Sequence, residues 1–202
     1  MIVTFYNEKI TPIIPKLQKE VFNYFGYEIN QIFVSDWISH GNSIDNFLSD
    51  KFNEDEVIVI FDIDSIPLNK NIINDAIIWC KNNIGIFSVA QKTIKLKNPI
   101  IYAAPSFMVF SINTYNLLGR PSFCTNEKSD CGAEITHSAR NLGIEVRLLY
   151  PSHVESPHTE LDGYIQFGYG TTYGNNIYHA FESRFKQRDS YFINKCNTIL
   201  NG

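Results

Sequence analysis

Two aspartates, Asp62 and Asp64, stand one residue apart directly after the unbroken apolar run Val57-Ile-Val-Ile-Phe61. Uncompensated carboxylates this close repel each other and have raised pKa values, unless a divalent cation or a proton sits between them. The bland use of the same pair is a capped or solvated turn after a strand. Asp130 falls where a helix is expected to begin, so its carboxylate either caps backbone donors or faces a substrate hydroxyl as hydrogen-bond partner or base. Glu134, one turn later on the same face, is the second candidate for that role. His179 follows a segment punctuated by Gly163, Gly168, Gly170 and Gly174, and offers an imidazole nitrogen as a metal ligand or simply a stacked ring. Weaker constellations are set aside. Glu134-Ile-Thr-His137 is one copy of a di-iron half-site that needs two, and His153 with His158 is too little for zinc.

The elements that must hold these residues alternate. Ile2 to Tyr6 reads as a strand, Ile13 to Phe25 as a helix stopped by Gly26, Ile32 to Ser35 as a strand, Ser43 to Phe52 as a helix and Val57 to Phe61 as a strand buried on both faces. This order predicts an α/β sandwich with right-handed crossovers. Side chains at i and i+2 of a strand share a face, so the spacing predicts that both carboxylates leave the sheet together at its C-terminal edge, where open α/β sheets bind ligands. Asn71 to Lys81 has helical spacing and Gly85 to Val89 that of a strand. Ile100 to Pro105 and Phe107 to Phe110 read as two strands interrupted at Pro105 and Ser106. Short helices over Thr114 to Leu118 and Cys131 to Leu142 and a strand over Val146 to Tyr150 complete the pattern. From about residue 152 the chain predicts a loop-rich segment in which residues 163 to 178 could close as a lid.

The 202 residues predict one domain, 1–202, large enough to bury roughly 70% of its unfolded surface without staples. The net charge of -4 supplies no counter-charge for a phosphodiester backbone and argues against nucleic acid as a partner. No apolar run approaches a membrane span, and the sequence opens without a signal-peptide pattern. Four cysteines without Cys-x-x-Cys spacing suit reduced thiols, and the expected location is cytoplasmic.

The motifs, taken in order, resemble those of the GT-A glycosyltransferases over nearly the whole chain. Val3-Thr-Phe-Tyr-Asn-Glu8 is similar to their first strand and nucleotide-contacting turn, and Phe61-Asp-Ile-Asp64 to their metal-binding Asp-x-Asp. Tyr102 to Phe110 is similar to the turn and apolar strand that follow. Ser129-Asp130-Cys131 resembles the Asp-Gln pair of the retaining, family-8-like members, and Ile177-Tyr-His179 the late metal-site histidine. Phe107 departs from an expected glycine, Cys131 from a glutamine and Glu182 from the glycine three residues after the histidine. The resemblance implies a three-layer GT-A sandwich with a mostly parallel central sheet and a Rossmann-like nucleotide half. It implies a nucleoside-diphosphate-sugar donor, a glycan or other hydroxyl acceptor, and Mn²⁺ or Mg²⁺ held by Asp62, Asp64 and His179. Phe5, Tyr6, Asn7, Asp36 and Trp37 would contact the nucleotide, with Asp62 reaching it directly or through water, and Lys186, beside Arg184 and Arg188, would meet phosphate. Asp130 or Glu134 would be catalytic. Two alternatives stay open. One is a haloacid-dehalogenase-like phosphatase with Asp62 as nucleophile; the other is a noncatalytic nucleotide- or carbohydrate-binding relative.

Overall fold

The computed structural model describes residues 1–93, 100–127, 129–161, 165–183 and 185–202, with backbone alone for 158–161, 165, 166 and 187. In chain order the elements are β1 (Ile2–Tyr6), α1 (Ile13–Tyr24), β2 (Asn30–Phe33), α2 (His40–Ser49), β3 (Val57–Asp62), β4 (Ser65–Pro67), α3 (Ile72–Asn82), β5 (Gly85–Lys92), β6 (Ile101–Ser111), α4 (Ile112–Leu117), α5 (Ala133–Asn141), β7 (Glu145–Leu149), β8 (Pro151–Leu161), β9 (Ile165–Tyr173), β10 (Ile177–His179) and α6 (Asp189–Asn201). A six-stranded sheet runs β2-β1-β3-β6-β5-β7, and a four-stranded sheet runs β4-β10-β9-β8. In the larger sheet β6 alone pairs antiparallel with its neighbours; the remaining pairs are parallel.

The apolar run of β3 is central because it has two faces to bury. Val57, Val59 and Phe61 pack with α1, α3 and α6, while Ile58 and Ile60 pack with α2, α4 and α5. Period-2 alternation thus divides one strand between two helical layers, the three-layer arrangement expected of such a sheet. Asp62 continues the parity of Ile58 and Ile60 and so emerges on the α2 side.

Three expectations need correction. Ile101–Ser111 is one strand, because the break at Pro105 and Ser106 is taken up by a register shift between Ser88 and Val89 on β5. Ser88 Oγ serves the loosened stretch, donating toward the carbonyls of Ala104 at 2.9 Å and Phe107 at 2.8 Å. The segment from about 152 is built of strands β8, β9 and β10 and the thirteen-residue α6, which packs against α1; the lid expectation falls partly on 162–164, outside the described residues. Finally, β3 ends at Asp62, and Ile63 and Asp64 form a turn into β4. Among the described residues no helix is long and apolar enough to cross a membrane.

The start of α2 is fixed to the 122–124 segment. Ser39 Oγ accepts from the Asn42 N–H at 3.0 Å as N-cap, and Asp45 accepts from the Phe123 N–H at 2.8 Å and from Ser122 Oγ at 2.6 Å. Gly41 lets the two backbones touch. A Cβ there would lie 2.2 Å from the Phe123 carbonyl oxygen and 2.7 Å from the Cys124 Cα. Helix propensity alone favours Gly41→Ala by about 1 kcal/mol, but backbone cannot swing aside as a side-chain tip can, and overpacking of this kind costs about 1–3 kcal/mol. Gly41→Ala is therefore expected to lower the melting temperature, by several degrees; a rise would show that the close approach does not exist in solution.

Candidate metal and ligand site

The site forms where the two sheets meet. Asp62 closes β3 of the larger sheet, and the turn delivers Asp64 to the start of β4 in the smaller one. β10 then pairs antiparallel with β4, His179 opposite Ser65 and Tyr178 opposite Ile66, which sets the histidine beside Asp64. The turn is held from beneath by Gln18 of α1, a fully buried amide whose Nε2 donates to the carbonyls of Asp62 at 2.8 Å and Ser65 at 3.0 Å. Gln31 of β2 in turn donates to Gln18 Oε1 at 3.0 Å. The carboxylates thus converge through a turn rather than through strand pleat.

His179 Nε2 lies 3.4 Å from Asp62 Oδ2 and 3.3 Å from Asp64 Oδ1. The ligand atoms of the three residues all fall within 4.8 Å of one another. The other oxygen of each carboxylate also has a neighbour. His40 Nε2 lies 3.1 Å from Asp62 Oδ1, and the Ser183 N–H donates to Asp64 Oδ2 at 3.1 Å. His179 is 2% exposed and Asp64 5%, whereas the Asp62 side chain is 26% exposed and open to the cavity.

Burial works to raise the Asp64 pKa, yet the charge and hydrogen bond of His179, with the Ser183 N–H, hold it below the ordinary value. Burial works to lower that of His179, and Asp64 and Asp62 together raise it. An imidazolium among carboxylates is one way to neutralise this cluster. A divalent cation is the other, and the donor set fits one: two hard carboxylate oxygens and one imidazole nitrogen, all on fixed backbone. The Gln91 amide nitrogen lies 3.5 Å from His179 Nδ1, with its oxygen turned to the Tyr102 hydroxyl, so cation binding through Nε2 requires this amide to flip. A ring that binds a cation through Nε2 carries its proton on Nδ1, and an amide turned oxygen-inward accepts it.

The group opens into a cavity of about 630 Å³. Phe5, Tyr6, Asn7 and Trp37 line one side, and Asp130 lines it as well. Helix α5 begins only at Ala133, with Gly132 as N-cap in the left-handed conformation, so Asp130 stands ahead of the helix, and it is its carbonyl that accepts the Ala133 N–H at 2.9 Å. Burial first, and then the nearby Asp130 charge, hold the Tyr102 hydroxyl far above its usual pKa. Glu134, Asp36, Lys186 and Arg188, all singled out in the sequence, do not line the cavity. Glu134 turns to Ser129 Oγ and to the Asn126 amide, at 3.3 Å for the latter. Asp36 is exposed in the turn after β2, and Lys186 is exposed in a short 3-10 helix spanning Lys186–Arg188. Arg184 lies outside the described residues. Among the described residues, Lys9 and Lys92 are the lysines that line the cavity. Sequence reasoning missed His40, Gln91, Gln18 and Ser183. For His40 a signal existed, since it opens the helix after β2 and so lies on the same C-terminal sheet edge as Asp62.

No protein-family model and no curated protein sequence matches the chain. Solved structures do. A mutant β-1,4-galactosyltransferase 7 from Drosophila, solved with manganese, UDP-Gal and xylobiose, superposes with a TM-score of 0.51 at 11% identity, covering 92% of this chain and 72% of that one. A second structure, from STIV, gives a TM-score of 0.33 at 12% identity over 55% of this chain and 65% of that one, too loose to bear on the fold. The likeness at this identity concerns architecture, and it does not single out the family-8-like members. With its mostly parallel six-stranded sheet between helical layers, the chain has a GT-A-like fold carrying an Asp-Asp-His group at the sheet edge.

Proposed function

We propose that the chain is a metal-dependent glycosyltransferase that takes a sugar from a nucleoside-diphosphate donor. The observation that carries this reading is the convergence of Asp62, Asp64 and His179 on one side of an open cavity, on the edge where α/β sheets bind ligands. Asp62, Asp64 and His179 would hold Mn²⁺ or Mg²⁺, the imidazole nitrogen favouring Mn²⁺. When bound, such a cation supplies Lewis-acid neutralisation of a diphosphate leaving group. The rest falls to the chain's own residues. Lys9 and Lys92 add positive charge at the cavity wall, and Tyr6 and Trp37 offer rings against which a base packs, with the Asn7 side of the turn for its polar edge. Asp130 takes the proton of the acceptor hydroxyl as its oxygen bonds to the anomeric carbon and the diphosphate departs with the electrons of the broken bond. Glu134 supports the turn carrying Asp130 through Ser129 and Asn126. A phosphatase would need Asp62 as an unencumbered nucleophile, whereas here it is bracketed by His40 and His179.

Titrating Mn²⁺ with UDP, GDP and other nucleoside diphosphates while following the melting temperature tests the reading, because a ligand that binds only the folded state raises it. Asp64→Asn keeps the shape of the side chain and removes its charge; the expected outcome is a loss of Mn²⁺-dependent nucleotide affinity of about tenfold or more. Equal affinity in the variant would remove Asp64 from the metal site. Hydrolysis or transfer from the matching sugar nucleotide separates an enzyme from a noncatalytic relative, which would bind without turnover.

Proton and metal compete for His179 Nε2, which gives a pH test with a definite sign. Because the folded-state pKa of His179 is raised, the imidazolium stabilises the metal-free fold fully below the unfolded histidine value of about 6.5, and that contribution is lost as pH rises through the folded value. Asp64 works oppositely, its contribution being lost as pH falls through its lowered pKa. The melting temperature of metal-free protein should thus decline as His179 deprotonates, while the increment from added Mn²⁺ grows over the same interval. An Mn²⁺ increment that is flat across that interval would count against His179 as a ligand.

A further inference from the structure

The turn after His179 runs against the preferences of its own residues. Phe181 and Glu182 take φ of +70° and +61°, the left-handed region that a Cβ disfavours and that glycine enters freely. Arg120 and Asn175 do so singly, but among the described non-glycine residues Phe181–Glu182 is the one consecutive pair. The backbone task of this turn is to bring the Ser183 N–H to Asp64 Oδ2 and the Ala180 N–H to the Asp64 carbonyl, at 3.1 and 2.9 Å. A glycine at 182 would do that at lower cost. Strain that persists beside a cavity points to a use for the side chain.

Both side chains line the cavity, next to the Asp-Asp-His group. Phe181 sits edge-on to His179 at 5.2 Å and to Phe167 of β9 at 5.9 Å, and tilts against Tyr169 at 6.3 Å. Tyr169 donates its hydroxyl to Glu182 Oε2 at 3.0 Å. Arg188 pairs with the same carboxylate and lies over the Tyr169 ring at 3.9 Å. The result is a wall of aromatic rings with an oriented, charge-balanced carboxylate at its rim. A pyranose suits it, since its C–H face packs on rings while its hydroxyls donate to carboxylate oxygens, which together accept about four hydrogen bonds.

We propose that the Phe181–Glu182 turn and the Phe167 and Tyr169 wall form a sugar-binding subsite, with Glu182 as its specificity-determining residue. This rests on the glycosyltransferase reading for its place beside the nucleotide. The sugar is either the one carried by the nucleotide or the one that receives it, and the chemistry is shared.

The experiment uses the full chain and two variants, Glu182→Gly and Glu182→Gln. Three quantities are measured for each: the metal-free melting temperature, Mn²⁺-dependent affinity for UDP and GDP against UDP-glucose, UDP-galactose and GDP-mannose, and binding of free disaccharides by saturation-transfer NMR. Glu182→Gly is expected to melt higher than wild type, to keep bare-nucleotide affinity within about twofold, and to lose about tenfold in affinity for a sugar-bearing ligand. Glu182→Gln keeps the strained backbone and should lose sugar affinity without the gain in melting temperature. Loss confined to sugar nucleotides assigns the subsite to the donor, and loss confined to free saccharides assigns it to the acceptor. A Glu182→Gly variant that melts lower, or that binds every sugar ligand as wild type does, overturns the proposal. A wild type that binds bare nucleotide and no sugar in either form overturns it while leaving the nucleotide reading intact. Glu182-dependent saccharide binding without any nucleotide binding does the reverse.

Discussion

The antiparallel pairing of β4 with β10 is the constraint on which the site depends. Its register sets His179 opposite Ser65 and therefore against Asp64, the residue just before β4. A slip of one position would turn the imidazole to the other face of the small sheet, because strand side chains alternate. The electrostatics depend on that register in turn. Asp64 is almost fully buried, and a buried carboxylate without a partner would be protonated or would unfold its surroundings. His179 and the Ser183 N–H keep it ionised. The same groups that make a cation welcome also make the empty cluster tolerable, so the site does not have to be held open against the fold.

The central layer was legible because hydrophobic period and covalent order carry it. Val57 to Phe61 alternates between two cores, and the first helix ends near Gly26 as its local signal predicts, whereas the second begins at His40, capped by Ser39, ahead of the expected Ser43. Asp62 and Asp64 were legible as a pair by their position after that strand. Their geometry was not, since the pleat argument requires the strand to continue to Asp64, and it turns at Ile63. What bends it is remote in sequence: the buried Gln18 amide on the Asp62 and Ser65 carbonyls, and the Asp64 carbonyl taken by the Ala180 N–H. Pattern reading along one segment has no access to such partners.

The smaller sheet was illegible for a related reason. Pro151, Pro157, Gly168 and Gly170 interrupt the β8 and β9 sequences, and the ladder between them shifts register twice, after Pro151 and after Pro157. No clean period of two survives those shifts, although the pairing absorbs them. Helix α6 buries Phe192 and Cys196 against the layer that contains α1. Its apolar stripe is narrow, and it becomes informative only once α1 is known to lie beneath it. His40 illustrates the limit from the other side. As a single histidine it carries no motif, and its meaning comes from the topology that makes β2 and β3 neighbours of β1 and so brings the helix after β2 beside Asp62.

The Asp-Asp-His group also divides the cavity chemically. On the β1 and β2 side the wall offers Tyr6, Asn7 and Trp37, with Lys9 close by; on the β9 and β10 side it offers Phe167, Tyr169 and Phe181 with the Glu182 carboxylate. A cation held at Asp62, Asp64 and His179 would draw anionic oxygens toward itself from either direction, so it cannot by itself orient a ligand that has an anionic middle and two dissimilar ends. Orientation has to come from the walls. On the proposed reading Lys9 would favour the polyanionic part on the β1 side, and the rings of the β9 side would favour a sugar. On that reading the two sheets would supply different halves of the recognition, joined at the short turn between β3 and β4, where the Asp-Asp-His group lies.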